Sequence, residues 1–465
     1  MKFDRKSGMR QIDFSSGDTR SNVARAVIPL LVADILSLLY SIVDRIYIGR
    51  MPGEGTAALG GIGLCFPFVM MVTAFTNLYG QGGSPLCGMA RGRGDTKGAE
   101  EVMNTAFMLL LGSAAVLMAV FEIFARPLLM ILGGEASPEL LPHAVRYLRI
   151  YLLGTPATML ASGLSPYINA MGFAGAGMMV IAIGAVANIL LDPIFIFGFG
   201  MGVQGAAVAT VLSQCFSMIF VIVFLRGGRS ELKLAFIAPK KLRWPVISDI
   251  FGLGVVNFIM QFTNSLVAVV CNRMLSIWGS AVYISVYTVI SSVRQILDVP
   301  VQAIGSGGSP VLSFHFGAKR PDRMRETVNL ITRWNILYTA VVWVLILAVP
   351  QLFIMIFNSD PALLEAGKPG LRIYFATFVF QALQVTGQTV FRSIGCKKQA
   401  IFFSLFRKVI MVVPLTILLP GLGFGANGVF LAEPVSNFIG GTACFATMML
   451  TQYRRWNDKN VGNRV

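Results

Sequence analysis

Apolar stretches of about twenty residues recur along almost the whole chain, separated by short runs rich in glycine, proline and charge. A helix rises 1.5 Å per residue, so about twenty residues cross the ~30 Å hydrocarbon core of a bilayer. The pattern predicts twelve membrane-crossing helices near 26–48, 57–91, 100–122, 145–170, 176–197, 203–225, 248–274, 281–316, 326–349, 370–393, 400–419 and 427–450. The second and eighth exceed the length needed to cross, so they are expected to tilt, bend or protrude. The polar tail 1–25, the basic stretch 226–247 and the tail 451–465 then bracket two sets of six helices, 26–225 and 248–450.

Composition agrees with lipid as the main solvent. Of 465 residues, 55% are hydrophobic and 13% charged, and the mean hydropathy is +0.70. A water-soluble core could not bury that much apolar surface. The net charge of +16 would suggest nucleic acid in a soluble protein. Here the basic residues crowd the segments that share a side with the N-terminus, among them Arg91, Arg93, Lys97, Lys240, Lys241, Arg243, Lys319 and Arg320. The opposite segments hold mainly Arg50, Arg126, Arg146 and Lys368. That asymmetry predicts a cell-membrane protein with both termini in the cytosol, and it makes nucleic acid an unneeded partner. The six cysteines lie singly in apolar segments, as packing residues do. The polar first 25 residues carry no leader pattern. There is no phosphate-binding loop, hence no ATP by that route and no expected cofactor.

Self-similarity organises the chain. Gly80-Gln-Gly-Gly-Ser-Pro85 matches Gly305-Ser-Gly-Gly-Ser-Pro310, and Gly92, Glu101 and Asn104 match Gly317, Glu326 and Asn329, all 225 positions later. Arg149-Ile-Tyr151 matches Arg372-Ile-Tyr374, and Pro127, Pro138, Gly202 and Gly205 match Pro350, Pro361, Gly425 and Gly428, 223 positions later. Six helices is an even number, so both halves start from one side. The expected architecture is all-α: two six-helix bundles related by a pseudo-twofold axis along the membrane normal, as in alternating-access carriers. Pro67 and Pro300, with the repeated Gly-Gly-Ser-Pro blocks, are expected either to interrupt the second and eighth helices or to let helices pack closely.

Acidic residues inside a span cost about 2.5–3.5 kcal/mol at a helix centre, which makes each a functional suspect. Asp44 falls about one turn before the outer end of the first span, Asp192 a little over one turn before that of the fifth, and Thr210 about two turns into the sixth. At helical rise they reach one level, roughly 6–10 Å deep. Asn188, four residues before Asp192, shares its face. Two crowded carboxylates, an amide and a hydroxyl form a candidate proton site, or a set of hard oxygen ligands for Na⁺. Pro193 follows directly and would let the helix bend. The second half lacks the pair: the repeat sets Asn272, Met411 and Leu415 opposite Asp44, Asn188 and Asp192, and Glu433 opposite Thr210. Arg294 and Asp298, spaced i,i+4, are expected to neutralise each other. Glu433 is expected either to meet a cationic substrate or to pair with Arg407. Asp34, ten residues before Asp44, sits well off the Asp44 face and is a cavity candidate. His143 and His315 read as surface histidines.

At these residues the chain resembles the multidrug and toxic compound extrusion (MATE) family, over roughly residues 20–450. The resemblance is carried by Tyr40-Ser-Ile-Val-Asp44-Arg-Ile-Tyr-Ile-Gly49, Asn188-Ile-Leu-Leu-Asp192, Gly202-Val-Gln-Gly-Ala-Ala-Val-Ala-Thr210 and Gly308-Ser-Pro-Val-Leu-Ser-Phe-His-Phe-Gly-Ala-Lys-Arg320. It implies twelve helices in two lobes and antiport of small organic compounds, typically cationic and amphiphilic, against H⁺ or Na⁺. It also implies a cation site at Asp44, Asn188, Asp192 and Thr210; the chain is expected to function as a monomer. The NorM branch carries acidic residues in its seventh and tenth helices where this chain has Asn264 and Gln381, so a Na⁺ site of that kind is not expected here. Two rivals stand beside this reading. A flippase for lipid-linked oligosaccharides would line its cavity with several cations for a pyrophosphate, and the only candidates here, Arg294, Arg407 and Arg273, are too few to prefer that reading. A membrane-embedded prenyltransferase would want clustered aspartates such as DDxxD, which the sequence lacks.

Overall fold

A computed structural model describes residues 10–51, 55–130, 139–228, 230–238, 242–357 and 361–456. Pro138, Arg229, Lys240, Lys241, residues 1–9 and residues 457–465, which carry part of the charge pattern, lie outside the described residues. Among those described, regular structure is entirely helical.

The helices are α1 (Thr19–Gly49), α2 (Gly55–Gly92), α3 (Thr96–Leu129), α4 (Leu141–Leu153), α5 (Thr155–Ala170), α6 (Ala174–Pro193) and α7 (Val203–Arg226). After the linker come α8 (Trp244–Trp278), α9 (Ala281–Gly317), α10 (Pro321–Ala348), α11 (Pro350–Met355), α12 (Pro361–Tyr374), α13 (Val379–Ser393), α14 (Lys397–Leu405), α15 (Val413–Leu419) and α16 (Gly425–Met448). Among the described residues, eight helical stretches are long and apolar enough to cross a membrane. One of these, Lys397–Tyr453, contains the expected eleventh and twelfth spans together, and the fourth, eighth and tenth escape that measure, the fourth and tenth because each is two shorter helices. Gly154 separates α4 from α5, just before Pro156, and Phe375–Phe378 separates α12 from α13. The first helix begins at Thr19, earlier than the apolar pattern suggested, because its polar first turns are held by tertiary contacts. Thr19 Oγ1 donates to Glu326 and accepts from Arg323 Nη1 at 2.9 Å. Local chemistry sets other starts: Asp95 caps α3 by accepting from the Gly98 amide at 2.9 Å, and Pro321 opens α10.

The chain divides into two compact units, one of Ile28–Gly254 with residues up to Asp13, the other of Phe14–Val27 with Val255–Val465. In the first, Cys65, Leu148, Leu152 and Ala206 are fully buried around Tyr147 and Ile196. In the second, Leu275, Leu371, Phe375, Phe378 and Phe430 form the corresponding core. Outward faces are apolar as well: Ile123 and Leu422 are each 72% exposed, the signature of a surface solvated by lipid.

The expectation that α2 and α9 break at their Gly-Gly-Ser-Pro blocks is corrected. Both helices run unbroken through Pro67 and Pro85, and through Pro300 and Pro310. The glycines instead admit neighbouring backbones. A Cβ at Gly82 would lie 2.3 Å from the carbonyl oxygen of Ile250, and one at Gly307 would lie 2.5 Å from Val27 Cγ2 and 2.7 Å from its Cα. These two glycines are repeat equivalents, each packed against the start of a half: α8 in one unit, α1 in the other. His315, expected at the surface, is 2% exposed, and His143 lies in α4 rather than a loop.

Before α8 the linker runs extended along α3. Asn104 accepts the Ala235 amide at 2.9 Å and donates to the Lys233 carbonyl at 3.2 Å, while Glu100 accepts the Lys233 amide at 2.8 Å. Leu232 and Leu234 are buried beneath it.

Candidate functional site

In the first unit, α1 delivers Asp44, α6 delivers Asn188 and Asp192, and α7 delivers Thr210. Asp192 is fully buried and Asn188 is 2% exposed. The Asp44 and Asp192 carboxyls lie within hydrogen-bonding reach of each other. Asn188 Nδ2 donates to Asp192 Oδ1 at 3.2 Å and to Thr210 Oγ1 at 3.4 Å. The i,i+4 spacing of Asn188 and Asp192 makes the first contact local, and the second ties α6 to α7. Beyond Asp192, Pro193 lacks an N–H, and the helix widens into a π-helical turn at Ile194–Gly198. Gly205 of α7 makes room for that turn, since a Cβ there would lie 2.6 Å from the Phe195 carbonyl carbon.

Three buried oxygens of this group, Asp44 Oδ1, Asp192 Oδ2 and Asn188 Oδ1, have no hydrogen-bond partner. Tyr40 stands beside both carboxylates and Tyr147 beside Asp44. A cavity of about 140 Å³ opens next to them, lined by Ser37, Tyr40, Gly184, Asn188, Thr210 and Gln214. Two neighbouring carboxylates in low dielectric repel unless a proton or a cation sits between them. The chemistry open to this group is therefore the taking up and release of a small positive charge. Asp34, also on α1, is partly buried; it is not among the partners of the pair, nor does it line this cavity.

The second unit holds a larger cavity of about 420 Å³. Arg294 and Asp298 of α9, Gln381 and Arg392 of α13, and Arg407 and Lys408 line it, and Asn264 of α8 is at its edge, itself exposed. Glu433 of α16, 3% exposed, is the hub. Its Oε1 accepts from Arg294 Nη1 at 2.5 Å, Arg407 Nη1 at 2.9 Å and Lys408 Nζ at 3.1 Å, and its Oε2 accepts from Lys408 at 3.3 Å. Arg294 also donates from Nε to Asp298 at 3.3 Å and from Nη1 to Tyr374 at 2.9 Å. Gln381 Nε2 donates to the other Asp298 oxygen at 2.7 Å. The expected isolated Arg294–Asp298 pair is thus one arm of a five-residue charge network, and Glu433 has three cations where the sequence suggested Arg407 alone. Arg273 is exposed and takes no part in the lining.

Sequence reasoning passed over Lys408 and Arg392. Lys408 stands next to Arg407, and adjacent residues on a regular helix point about 100° apart. Phe406–Val412 is π-helical, which changes the angular step and lets both side chains reach Glu433. The overlooked signal was an Arg-Lys dipeptide inside an apolar span. Arg392 looked like a flank of its helix, yet its Nη1 donates to Asn257 Oδ1 at 2.8 Å and the side chain reaches the cavity.

Helices throughout the described residues, lipid-facing apolar surfaces, a buried carboxylate pair and a cavity lined by charged side chains define a membrane transport protein rather than an enzyme. Residues 29–194 and 245–418 match the family model described as MatE, and the chain belongs to that family. The "Multidrug export protein MepA" of Staphylococcus saprophyticus is 24% identical over 93% of this chain and 94% of its own length. The "FAD transporter" of Shewanella oneidensis is 24% identical over 90% of this chain and 92% of its own. Among solved structures, the outward-facing conformation of a multidrug resistance MATE family transporter superposes with a TM-score of 0.88 at 21% identity, covering 97% of this chain and 99% of that one.

Proposed function

We propose that the chain is a secondary active antiporter that moves small organic compounds out of the cell in exchange for H⁺ or Na⁺. The repeated halves, 26–225 and 248–450, act as its two lobes, and both termini are cytosolic. The observation that carries this reading is the facing pair Asp44 and Asp192, with Asn188 and Thr210 beside it and three of its oxygens unpartnered. A proton held between the carboxylates, or a Na⁺ among four oxygen donors, would be bound and released with the gradient. The names of the two relatives, one for multidrug export and one for FAD, support an organic passenger and differ in its chemistry.

The test is gradient-driven transport by the full-length chain in proteoliposomes, with a proton or a sodium gradient imposed and a fluorescent organic probe followed. One of the two gradients should drive accumulation. Asp44→Asn and Asp192→Asn should each reduce it to background while thermal unfolding stays near that of the parent. Full activity in either variant overturns the assignment of the coupling site.

A further inference from the structure

The cavity of the second unit carries more positive than negative charge. Arg294, Arg392, Arg407 and Lys408 line it, and the carboxylates that answer them are Asp298 in the lining and Glu433 behind it. Four cations face two anions. With Lys408 neutral the excess is one charge, and with Lys408 charged it is two. Glu433 is already engaged by three of them, Arg294, Arg407 and Lys408. Asp298 is engaged on one oxygen by Arg294 and on the other by Gln381. Arg392 has only the neutral Asn257 amide, and among the described residues no carboxylate pairs with it. Uncompensated charge inside the membrane is expensive and persists where something else supplies the counter-charge.

We infer that this cavity takes an organic anion, one bearing a phosphate or carboxylate group. The inference rests on the transport reading above and departs from the cationic passenger that the family resemblance implied. A cation entering here would meet four positive side chains and one lining carboxylate already doubly engaged. The neutral lining describes the rest of the ligand. Gln381, Gln384 and Gln388 are 3–5% exposed and each leaves its Oε1 without a partner. Three buried acceptors in one wall call for donors, such as ligand hydroxyl or amide hydrogens. Tyr287, Tyr374, Met260 and Val385 supply apolar and aromatic surface for an organic body. The volume, about 420 Å³, falls in the usual range for small-molecule sites.

Equilibrium binding to the purified full-length protein in detergent tests this without any gradient, so a failure of ion coupling would leave the result standing. Fluorescence polarisation compares fluorescein, an anion, with ethidium, a cation. Fluorescein should bind at least about tenfold more tightly and weaken as salt is added. Arg392→Gln should weaken it by about ten- to a hundredfold, the worth of a charge-assisted hydrogen bond, and Arg392→Lys should recover most of the loss. If Arg392→Gln does not fold, Lys408→Gln is read in its place. Displacement of fluorescein by phosphatidylglycerol assigns the anionic group to a lipid headgroup, whereas displacement by adenosine monophosphate alone assigns a soluble compound. Ethidium binding as tightly as fluorescein, or a folded Arg392→Gln protein with unchanged fluorescein affinity, overturns the inference.

Discussion

Glu433 illustrates how much one side chain can hold inside a membrane protein. Its carboxylate lies between Arg294, Arg407 and Lys408 at 2.5–3.1 Å, and no other acidic residue among those described reaches Arg407 or Lys408. Removing its charge leaves three cations crowded together in low dielectric, where breaking a buried pair costs about 3–5 kcal/mol. Glu433→Gln should therefore lower the thermal unfolding temperature sharply in detergent. Adding Arg407→Gln should return part of the loss, with a coupling of about 0.5–3 kcal/mol read from the double-mutant cycle. Strict additivity of the two changes would mean that the pair does not act as a unit. Asp44 and Asp192 differ in kind. Their mutual approach is unfavourable unless a small cation or proton joins them, so neutralising one removes a repulsion. Asp192→Asn should unfold at the same temperature as the parent or slightly higher, even as transport stops. A marked loss of stability would assign the pair to structure instead.

At the scale of elements, small residues decide where helices meet. Gly82 and Gly307 occupy equivalent places in the repeat, and each lies against another helix so closely that a methyl group has no room. Gly82→Ala would press on the Ile250 backbone, which cannot step aside as a flexible side chain can. It should destabilise by about 1–3 kcal/mol, the usual cost of overpacking. Gly112 of α3 has nothing within 4 Å of a built Cβ, so Gly112→Ala should be neutral or stabilising by up to about 1 kcal/mol. Equal unfolding temperatures for the two variants would show that close packing at Gly82 is not limiting. The prolines of α2 and α9 are absorbed without a break, whereas interruptions fall at Gly154 and at Phe375–Phe378. Hydrophobicity does not register such breaks, because both sides of each remain apolar.

The whole molecule consists of two units, each with its own core and its own polar site, in a chain whose outer surface is solvated by lipid. The linker between the halves is fastened to the first unit by Asn104 and Glu100. Losing the two Asn104 side-chain bonds, worth about 1 kcal/mol each, should expose the segment. Asn104→Ala should speed trypsin cleavage after Lys233 by about tenfold or more, and an unchanged rate would mean that the buried Leu232 and Leu234 hold it alone. Apolar run lengths, loop charge and the 225-residue repeat sufficed to read an all-α membrane chain in two homologous halves, because lipid imposes helices of set length on any sequence that crosses it. Asp44, Asn188, Asp192 and Thr210 could be ranked by depth along separate helices, since depth follows from counting residues. Which side chains then touch depends on helix rotation, π-helical turns and glycine contacts, none of which has a linear signature. That is why the meeting of Lys408 with Glu433, the reach of Arg392 into the cavity and the resulting positive balance emerged only from the tertiary structure.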